Sequence, residues 1–327
     1  MDSAFRFLRR CLVAGALLAA AGLALAQPPD NAPIRLLVGF PPGAGSDAVA
    51  RTLAAKLGDE LGANIVVENR AGAGGQIAAI ALKTAAPDGH TLFITHDHTI
   101  AILPQVIKNP GFDPAADFTP VAGIATFANV LAISGGTPAE TLPDYIEWVK
   151  RAHGGKDTIG VPAPGSIPVF LVQLIGQKYG IDVQAAPYRG SAPMISDMLG
   201  RQINAGIASV PDFIQYQKEG KMHIVAAIGA RRDPLLPKVP TFTELGMENL
   251  RDYPWFGFFA PTGTPQPFID KFGAALQKVL AMPDVRQQLT DLGLNVAYEP
   301  QAKFSARVRD YTRTWEKIIR DSGFQPQ

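Results

Sequence analysis

Ile34-Arg35-Leu36-Leu37-Val38-Gly39-Phe40-Pro41-Pro42-Gly43-Ala44-Gly45-Ser46-Asp47 is the stretch on which the fold turns. Ile34–Phe40 is a short, nearly continuous apolar run, the pattern of a strand buried on both faces. Pro41, Pro42, Gly43 and Gly45 then impose a turn, and Ser46 or Asp47 can cap the helix that follows. That helix carries Val49, Leu53, Leu57 and Leu61 at i, i+4 spacing and stops at Gly62. Strand, glycine-rich turn and amphipathic helix form the opening unit of an α/β architecture. The same turn is a candidate site. Backbone N–H groups at a helix start have no partner in the helix, and the dipole adds about half a positive charge there. Phe40, Gly43, Ala44, Gly45, Ser46 and Asp47 are therefore placed to hold an anion by main-chain donors, with Pro42, which has no N–H, shaping the turn. A plain turn that uses glycine for its geometry is the alternative.

Outward from this unit, Asn64–Glu68 and Thr91–Thr95 read as the next strands, the second after the turn Pro87-Asp88-Gly89. A second glycine cluster, Ala71-Gly72-Ala73-Gly74-Gly75, precedes a short helix expected to turn Ile77, Ile80 and Ala81 inward. A second alternating block begins near Asn129. Val130–Ser134 is a strand, Thr141-Leu142-Pro143-Asp144 resembles a capping box, and a helix runs through Arg151. Thr158–Val161 leads into a helix from about Ile167 to Lys178. Val183–Ala186, a Ser191-capped helix to Leu199, and the strands Ile203–Val210 and Ile224–Ile228 complete the block. The segment 231–254 is a Pro- and charge-rich connector, and Trp255–Ala260 is a further strand. Two helical stripes follow: Phe268, Phe272, Leu276 and Leu280, then Phe304, Val308, Tyr311, Trp315 and Ile318. They read as core. The economical arrangement is two α/β lobes, 27–126 with 255–327 and 127–254. The chain would cross between them near 125–129 and near 253–258, which makes a hinged cleft for a small ligand.

The chain has 327 residues, with 30 Lys and Arg against 29 Asp and Glu, which excludes nucleic-acid binding by blanket phosphate neutralisation. A 47% hydrophobic fraction is too high for intrinsic disorder. Residues 1–26 have the layout of a signal peptide. Arg6, Arg9 and Arg10 precede an apolar run from Leu12 to Ala26, and Ala24-Leu25-Ala26 offers a cleavage site. The run is short of the about 20 residues of a spanning helix. Cleavage after Ala26 would remove Cys11, the chain's one cysteine, so no thiol chemistry is expected of the mature protein. The periplasm is the expected location. Arg9-Arg10 leaves the twin-arginine route open beside the general one.

Elsewhere, Pro162-Ala163-Pro164-Gly165-Ser166 before Ile167 repeats the turn-into-helix pattern in the second lobe. Two helix N-termini facing across a cleft would suit a ligand with two acidic ends. Gly43-x-Gly45-x-x-Ala48, with Glu68 closing the next strand, fits the loose dinucleotide fingerprint, but the double proline and an exported setting speak against it. His96-Asp97-His98 offers two imidazoles and no third metal ligand, so these read as hydrogen-bonding histidines of the cleft or surface. No nucleophile elbow or Ser-x-x-Lys set is present. No cofactor and no metal are assigned, and an enzyme is not expected.

These residues carry a resemblance. Pro33–Val38 with Phe40-Pro41-Pro42-Gly43 and Asp47 resembles the opening of the Bug-type solute-binding proteins of tripartite tricarboxylate transporters. Val66-Val67-Glu68-Asn69-Arg70 with Gly72–Gly75, Pro87–Leu92, Pro187-Tyr188-Arg189-Gly190, Pro240–Gly246 and Trp255-Phe256-Gly257 with Ala260-Pro261 continue it in order. The resemblance implies a two-lobe periplasmic binding protein of the type II, Venus flytrap kind, with two chain crossings at the hinge. It implies capture of a small organic anion, a dicarboxylate or related acid, and delivery to integral-membrane permease subunits. A monomer is expected. An exported enzyme using the same cleft, or a subunit serving a sensor, is the alternative. One ligand carboxylate would be held at Phe40–Asp47, partly through water, with His96 and Thr99 nearby. Ala163, Gly165, Ser166 and Ile167 would supply the second lobe's donors, with Tyr188 and Ser209 completing the site. Val169 and Phe170 replace a polar residue common in the family, and Ile207-Ala208-Ser209 stands where many carry Phe-Asp-Asn. A more apolar second-lobe wall, suited to a longer aliphatic or aromatic carboxylate, is expected from these departures.

Overall fold

The computed structural model describes residues 32–247, 253–321 and 324–326; the expected signal peptide, 1–26, and part of the connector lie outside the described residues. Strand β1 (Ile34–Val38) buries Leu36, Leu37 and Val38 completely. Helix α1 (Gly45–Leu61) turns Val49, Leu53 and Leu57 to the sheet and ends at Gly62, whose φ of +64° lets its N–H cap the last turn. Its N-cap is Ala44 rather than Ser46 or Asp47. Asp47 sits in the first turn and accepts the Gly43 N–H at 3.0 Å, so it closes the turn from inside the helix.

Strand β2 (Ile65–Asn69) and helix α2 (Gln76–Lys83) follow. The expected inward face of α2 is corrected: Ala78, Ala79 and Leu82 are buried, whereas Ile77 and Ile80 are 49% and 37% exposed. A Cβ on Gly39 would lie 2.7 Å from the Gly75 Cα, so the helix starts against the backbone of the first strand's end and small residues must face the sheet. After β3 (Thr91–His96), a wide π-type turn (His98–Ile102) and the short helices α3 (Leu103–Val106) and α4 (Pro114–Asp117) lead into β4 (Phe118–Thr126).

The second sheet is built from β5 (Asn129–Ser134), α5 (Leu142–Ala152), β6 (Lys156–Val161), α6 (Ile167–Tyr179), β7 (Asp182–Pro187), α7 (Ser191–Leu199), β8 (Ala205–Ser209), α8 (Val210–Lys218) and β9 (Met222–Ala227). Its order is β7-β6-β8-β5-β9, with β6 parallel to both neighbours and β5 antiparallel to β8 and β9. Thr141 caps α5 by accepting the Asp144 N–H. Ser191 does not cap α7; the N-cap is Gly190, and the Ser191 hydroxyl is sent elsewhere, as described below.

The chain then returns. β10 (Trp255–Pro261) enters the first sheet antiparallel, between β3 and β4, and α9 (Gln266–Ala281), α10 (Pro283–Asp291), β11 (Asn295–Glu299) and α11 (Gln301–Asp321) complete it. The six-stranded order is β11-β4-β10-β3-β1-β2. The Phe127 N–H donates to the Pro254 carbonyl at 3.1 Å, so the outgoing and returning segments run side by side. This is an α/β fold of two lobes joined by two chain crossings. Helix α11 buries Phe304, Tyr311, Trp315 and Ile319, the last in place of Ile318. Among the described residues no helix is long and apolar enough to cross a membrane.

Candidate functional site

A cavity of about 50 Å³ lies between the two sheets, at the ends of β1, β3, β6 and β8 where helices begin. Ligand sites in open α/β sheets sit at such carboxyl ends. The first lobe contributes Phe40, Ala44, Gly45 and Ser46 before α1, His96, Asp97 and His98 after β3, and Phe256 on β10. Phe127 and Asn129 enter from the first crossing. The second lobe contributes Pro162, Ala163, Ser166, Ile167 and Pro168 around the start of α6, Ser191 at α7, and Ser209 and Asp212 at α8.

Four helix N-termini therefore meet the cavity, those of α1, α6, α7 and α8. Their amides are in different states. The Asp47 and Ala48 N–H groups bond the Ala44 carbonyl at 3.0 and 3.1 Å, and the Gly45 N–H reaches Asp212 Oδ1 across the cleft at 3.4 Å. Among the described residues, nothing accepts the N–H of Ser46, Ser166 or Ile167, although these residues are 6%, 3% and 2% exposed. A buried N–H without a partner is rare and costly, so these amides call for an acceptor brought by a ligand or water. They are donors set at the positive ends of two helices, which suits a carboxylate.

The first-lobe wall is aromatic. Phe40 stacks on His96 with centroids 4.9 Å apart and planes at 26°, and Phe127 and Phe256 stand edge-on to the same imidazole at 6.0 and 5.5 Å. His96 Nδ1 lies 3.5 Å from Asp97 Oδ1, and the other Asp97 oxygen accepts the Tyr311 hydroxyl at 2.9 Å. His98 is 5% exposed and neither ring nitrogen has a partner. Burial, aided by the neighbouring His96 charge, pushes its pKa down to about 3, so it is neutral near pH 7. The ring centroids of His96 and His98 are 6.2 Å apart, and among the described residues no three His, Cys, Asp or Glu side chains gather as a metal set.

Of the residues singled out in the sequence, Phe40, Ala44, Gly45, Ser46, His96, Ala163, Ser166, Ile167 and Ser209 line the cavity. Six do not. Pro42 and Gly43 are exposed on the outside of the turn, where Gly43 supplies a φ of +83°. Asp47 is 4% exposed beneath the turn, held by Arg51 Nε at 2.9 Å and by the Asn69 side-chain amide at 2.9 Å. Burial raises its pKa, but the Arg51, Gly43 and Asn69 hydrogen bonds outweigh that and hold it below the usual carboxylate value. Thr99 is fully buried and donates to the Gly74 carbonyl at 2.9 Å. Gly165 packs against Val106, 2.6 Å from where a Cβ would stand. The Tyr188 hydroxyl donates to Asp197 at 2.8 Å, in an adjoining groove.

The residues from which an apolar second-lobe wall was expected lie elsewhere. Val169, Phe170, Ile207 and Ala208 do not line the cavity; Phe170 packs on Trp315 and Phe324, and Ile207 and Ala208 are buried in the cores behind. The second-lobe surface that faces inward is mixed: Pro162, Ala163, Ile167 and Pro168 supply its apolar part, and Ser166, Ser191, Ser209 and the Asp212 carboxylate its polar part. Asp212, Ser191 and Asn129 were missed by sequence reasoning. Ser209-x-x-Asp212 is a legible capping box, and both halves of that box are formed.

Comparison with known proteins gives the context. Residues 49–324 match the model of the tripartite tricarboxylate transporter family receptor. BugT of Bordetella pertussis is 29% identical over 96% of this chain and 98% of its own. The solved structure of the periplasmic binding protein BugD is 28% identical, with a TM-score of 0.84 over 92% of this chain and 100% of that one. An R. palustris protein solved with adipate is 29% identical, with a TM-score of 0.85 over 92% and 100%. The family model describes a receptor, and the BugD structure is that of a periplasmic binding protein. With the family model covering most of its length, the two-lobed chain described above belongs to the Bug-type receptors of the tripartite tricarboxylate transporter family.

Proposed function

We propose that this protein captures a small organic carboxylate in the periplasm and delivers it to the membrane permease subunits of a tripartite tricarboxylate transporter. The observation that carries this reading is the set of buried, partnerless amides of Ser46, Ser166 and Ile167 at two helix starts on opposite lobes. The adipate held by the R. palustris relative supports an acid as the ligand. In this reading the leader 1–26 is removed after Ala26. The lobes 27–126 with 255–327 and 127–254 close on the ligand as a monomer. Micromolar affinity requires about −8 kcal/mol. Charge-assisted bonds to amides contribute roughly 1.5–3 kcal/mol each, enough to offset the cost of ordering the ligand and closing the lobes.

Purified protein from residue 27 onward, melted with a panel of mono-, di- and tricarboxylates at millimolar concentration, tests the reading. A raised melting temperature with at least one acid, and no consumption of that acid, is expected. No shift with any acid would overturn it, and turnover of the bound acid would favour the exported enzyme.

A further inference from the structure

The cavity that the free amides face measures about 50 Å³, whereas ligand pockets run to about 300–1,000 Å³. At about 30 Å³ for each water of the liquid, that is room for an acid head and little more. A groove of about 700 Å³ adjoins it, and Phe40 and Pro162 line both. The groove lies beyond β1 and β2 in the first sheet and β6 and β7 in the second. Those strands stand at the far ends of their sheets from β4, β10, β5 and β9, which carry the crossings, so the groove is the mouth of the cleft. Its two sides meet where a Cβ on Gly190 would stand 3.1 Å from Pro41. Pro41 and Ile77 from one lobe and Pro164 and Pro187 from the other make it apolar. Ile77, at 49% the most exposed large apolar side chain among the described residues, lies over Gly72, 2.6 Å from where a Cβ would stand. Arg189 is the one charged residue among those that line the groove. It is exposed, and among the described residues no carboxylate pairs with its guanidinium.

We propose that this mouth is a second ligand subsite, which takes the apolar chain of a long dicarboxylate and fastens its far carboxylate at Arg189. This rests on the reading of the cleft as a carboxylate site and deepens it. One acid group sits on the free amides, the chain passes between Phe40 and Pro162, and its methylenes lie along Ile77 and the prolines. Each methylene fully buried there strengthens binding about fourfold. The second carboxylate needs no cation inside the cavity, because its partner stands at the rim. An ion pair with so exposed a guanidinium is worth about fivefold at most. The chain therefore supplies most of the preference for length, and Arg189 supplies the preference for a diacid over a monoacid. Because each lobe provides one side of the groove, a chain lying in it also bridges the lobes.

Calorimetry on protein from residue 27 onward tests this with succinate, adipate, suberate and sebacate, beside the monoacid octanoate. Wild-type protein is expected to bind suberate more than about 10-fold tighter than succinate, which the added methylenes supply even when partly buried. Arg189→Ala should narrow the ratio of suberate to octanoate affinity about three- to fivefold. Ile77→Glu, which sets a carboxylate in the groove and removes its apolar floor, should narrow the ratio of suberate to succinate affinity at least about fivefold. Both side chains are exposed, so melting temperatures close to wild type are expected of the two variants. Long diacids bound no tighter than succinate, or either ratio unmoved by its substitution, would overturn the inference while leaving the carboxylate receptor standing. Failure of every acid to bind would overturn both.

Discussion

The two walls of the cleft differ in kind. The first lobe and the crossing beside it present a cluster of rings, Phe40, His96, Phe256 and Phe127, with one free amide at Ser46, whereas the second presents three serine hydroxyls, the free amides of Ser166 and Ile167 and the Asp212 carboxylate among Pro162, Ala163 and Pro168. A ring wall holds shape and excludes water; a polar wall reads where charge lies. The asymmetry gives an enclosed molecule one orientation. It also assigns affinity and selectivity to different residues, and that separation can be broken from either side.

The largest effect is expected where the walls meet. A Cβ on Gly45 would stand 3.1 Å from Pro211 Cβ and 3.4 Å from Asp212 Oδ1, both on the opposite lobe. Gly45→Val should wedge the lobes apart and weaken binding of any acid more than about 100-fold, or about 2.7 kcal/mol, with little change in melting temperature. Calorimetry beside small-angle scattering checks this; unaltered affinity would show that the walls need not touch.

Next comes the support beneath the first wall. Asp47→Asn loses its charge-assisted bonds to Arg51, Gly43 and Asn69, and should cost about 1.5–3 kcal/mol of stability at pH 7. Because the folded-state pKa of Asp47 is lowered, that stability is present above the unfolded value near 3.8 and is lost as pH falls through the folded one. The gap between wild type and variant in urea melts should therefore close below pH 3.8. A gap that persists in acid would mean that packing, not charge, explains the loss.

Smaller effects belong to the rings. Phe40→Leu removes the stack on His96 and should weaken benzoate-type acids by about 0.5–1.5 kcal/mol while sparing linear ones. Equal losses would make the aromatic wall a mere filler. His98 gives the finest test. The unfolded chain takes up this proton near pH 6.5 and the folded chain only near 3, so stability declines as pH falls through that window. His98→Gln should flatten the decline, by up to about 1.4 kcal/mol per pH unit, in urea melts between pH 7 and pH 4.

Local signals made the first wall's turn legible: the apolar run, the double proline and the glycines place Phe40–Ser46 at a strand end facing a helix. The return of β10 into the first sheet followed from the completeness of the second block. The strands β4 and β11 were not legible. Phe118–Thr126 contains Pro120 and Gly123 and pairs with irregular register, so no alternation survives. Its glycine is explained only by a residue far along the chain: a Cβ on Gly123 would stand 2.9 Å from Phe304, which also presses on Gly257. Asp212 shows the same limit. Its bond to Ser209 is a spacing rule visible in the sequence, while its bonds to Ser191 and Gly45 span 21 and 167 residues and exist only once the chain is folded.

The central claim is that backbone amides at helix starts on both lobes grip the acid. It is tested most directly by amide nitrogen–proton correlation spectra of deuterated protein titrated with the tightest-binding acid of the melting panel. The account predicts that the Ser46, Ser166 and Ile167 amide protons move downfield, and further than any others, as the ligand saturates. Saturation with those three resonances unmoved, and the largest changes elsewhere, would contradict it.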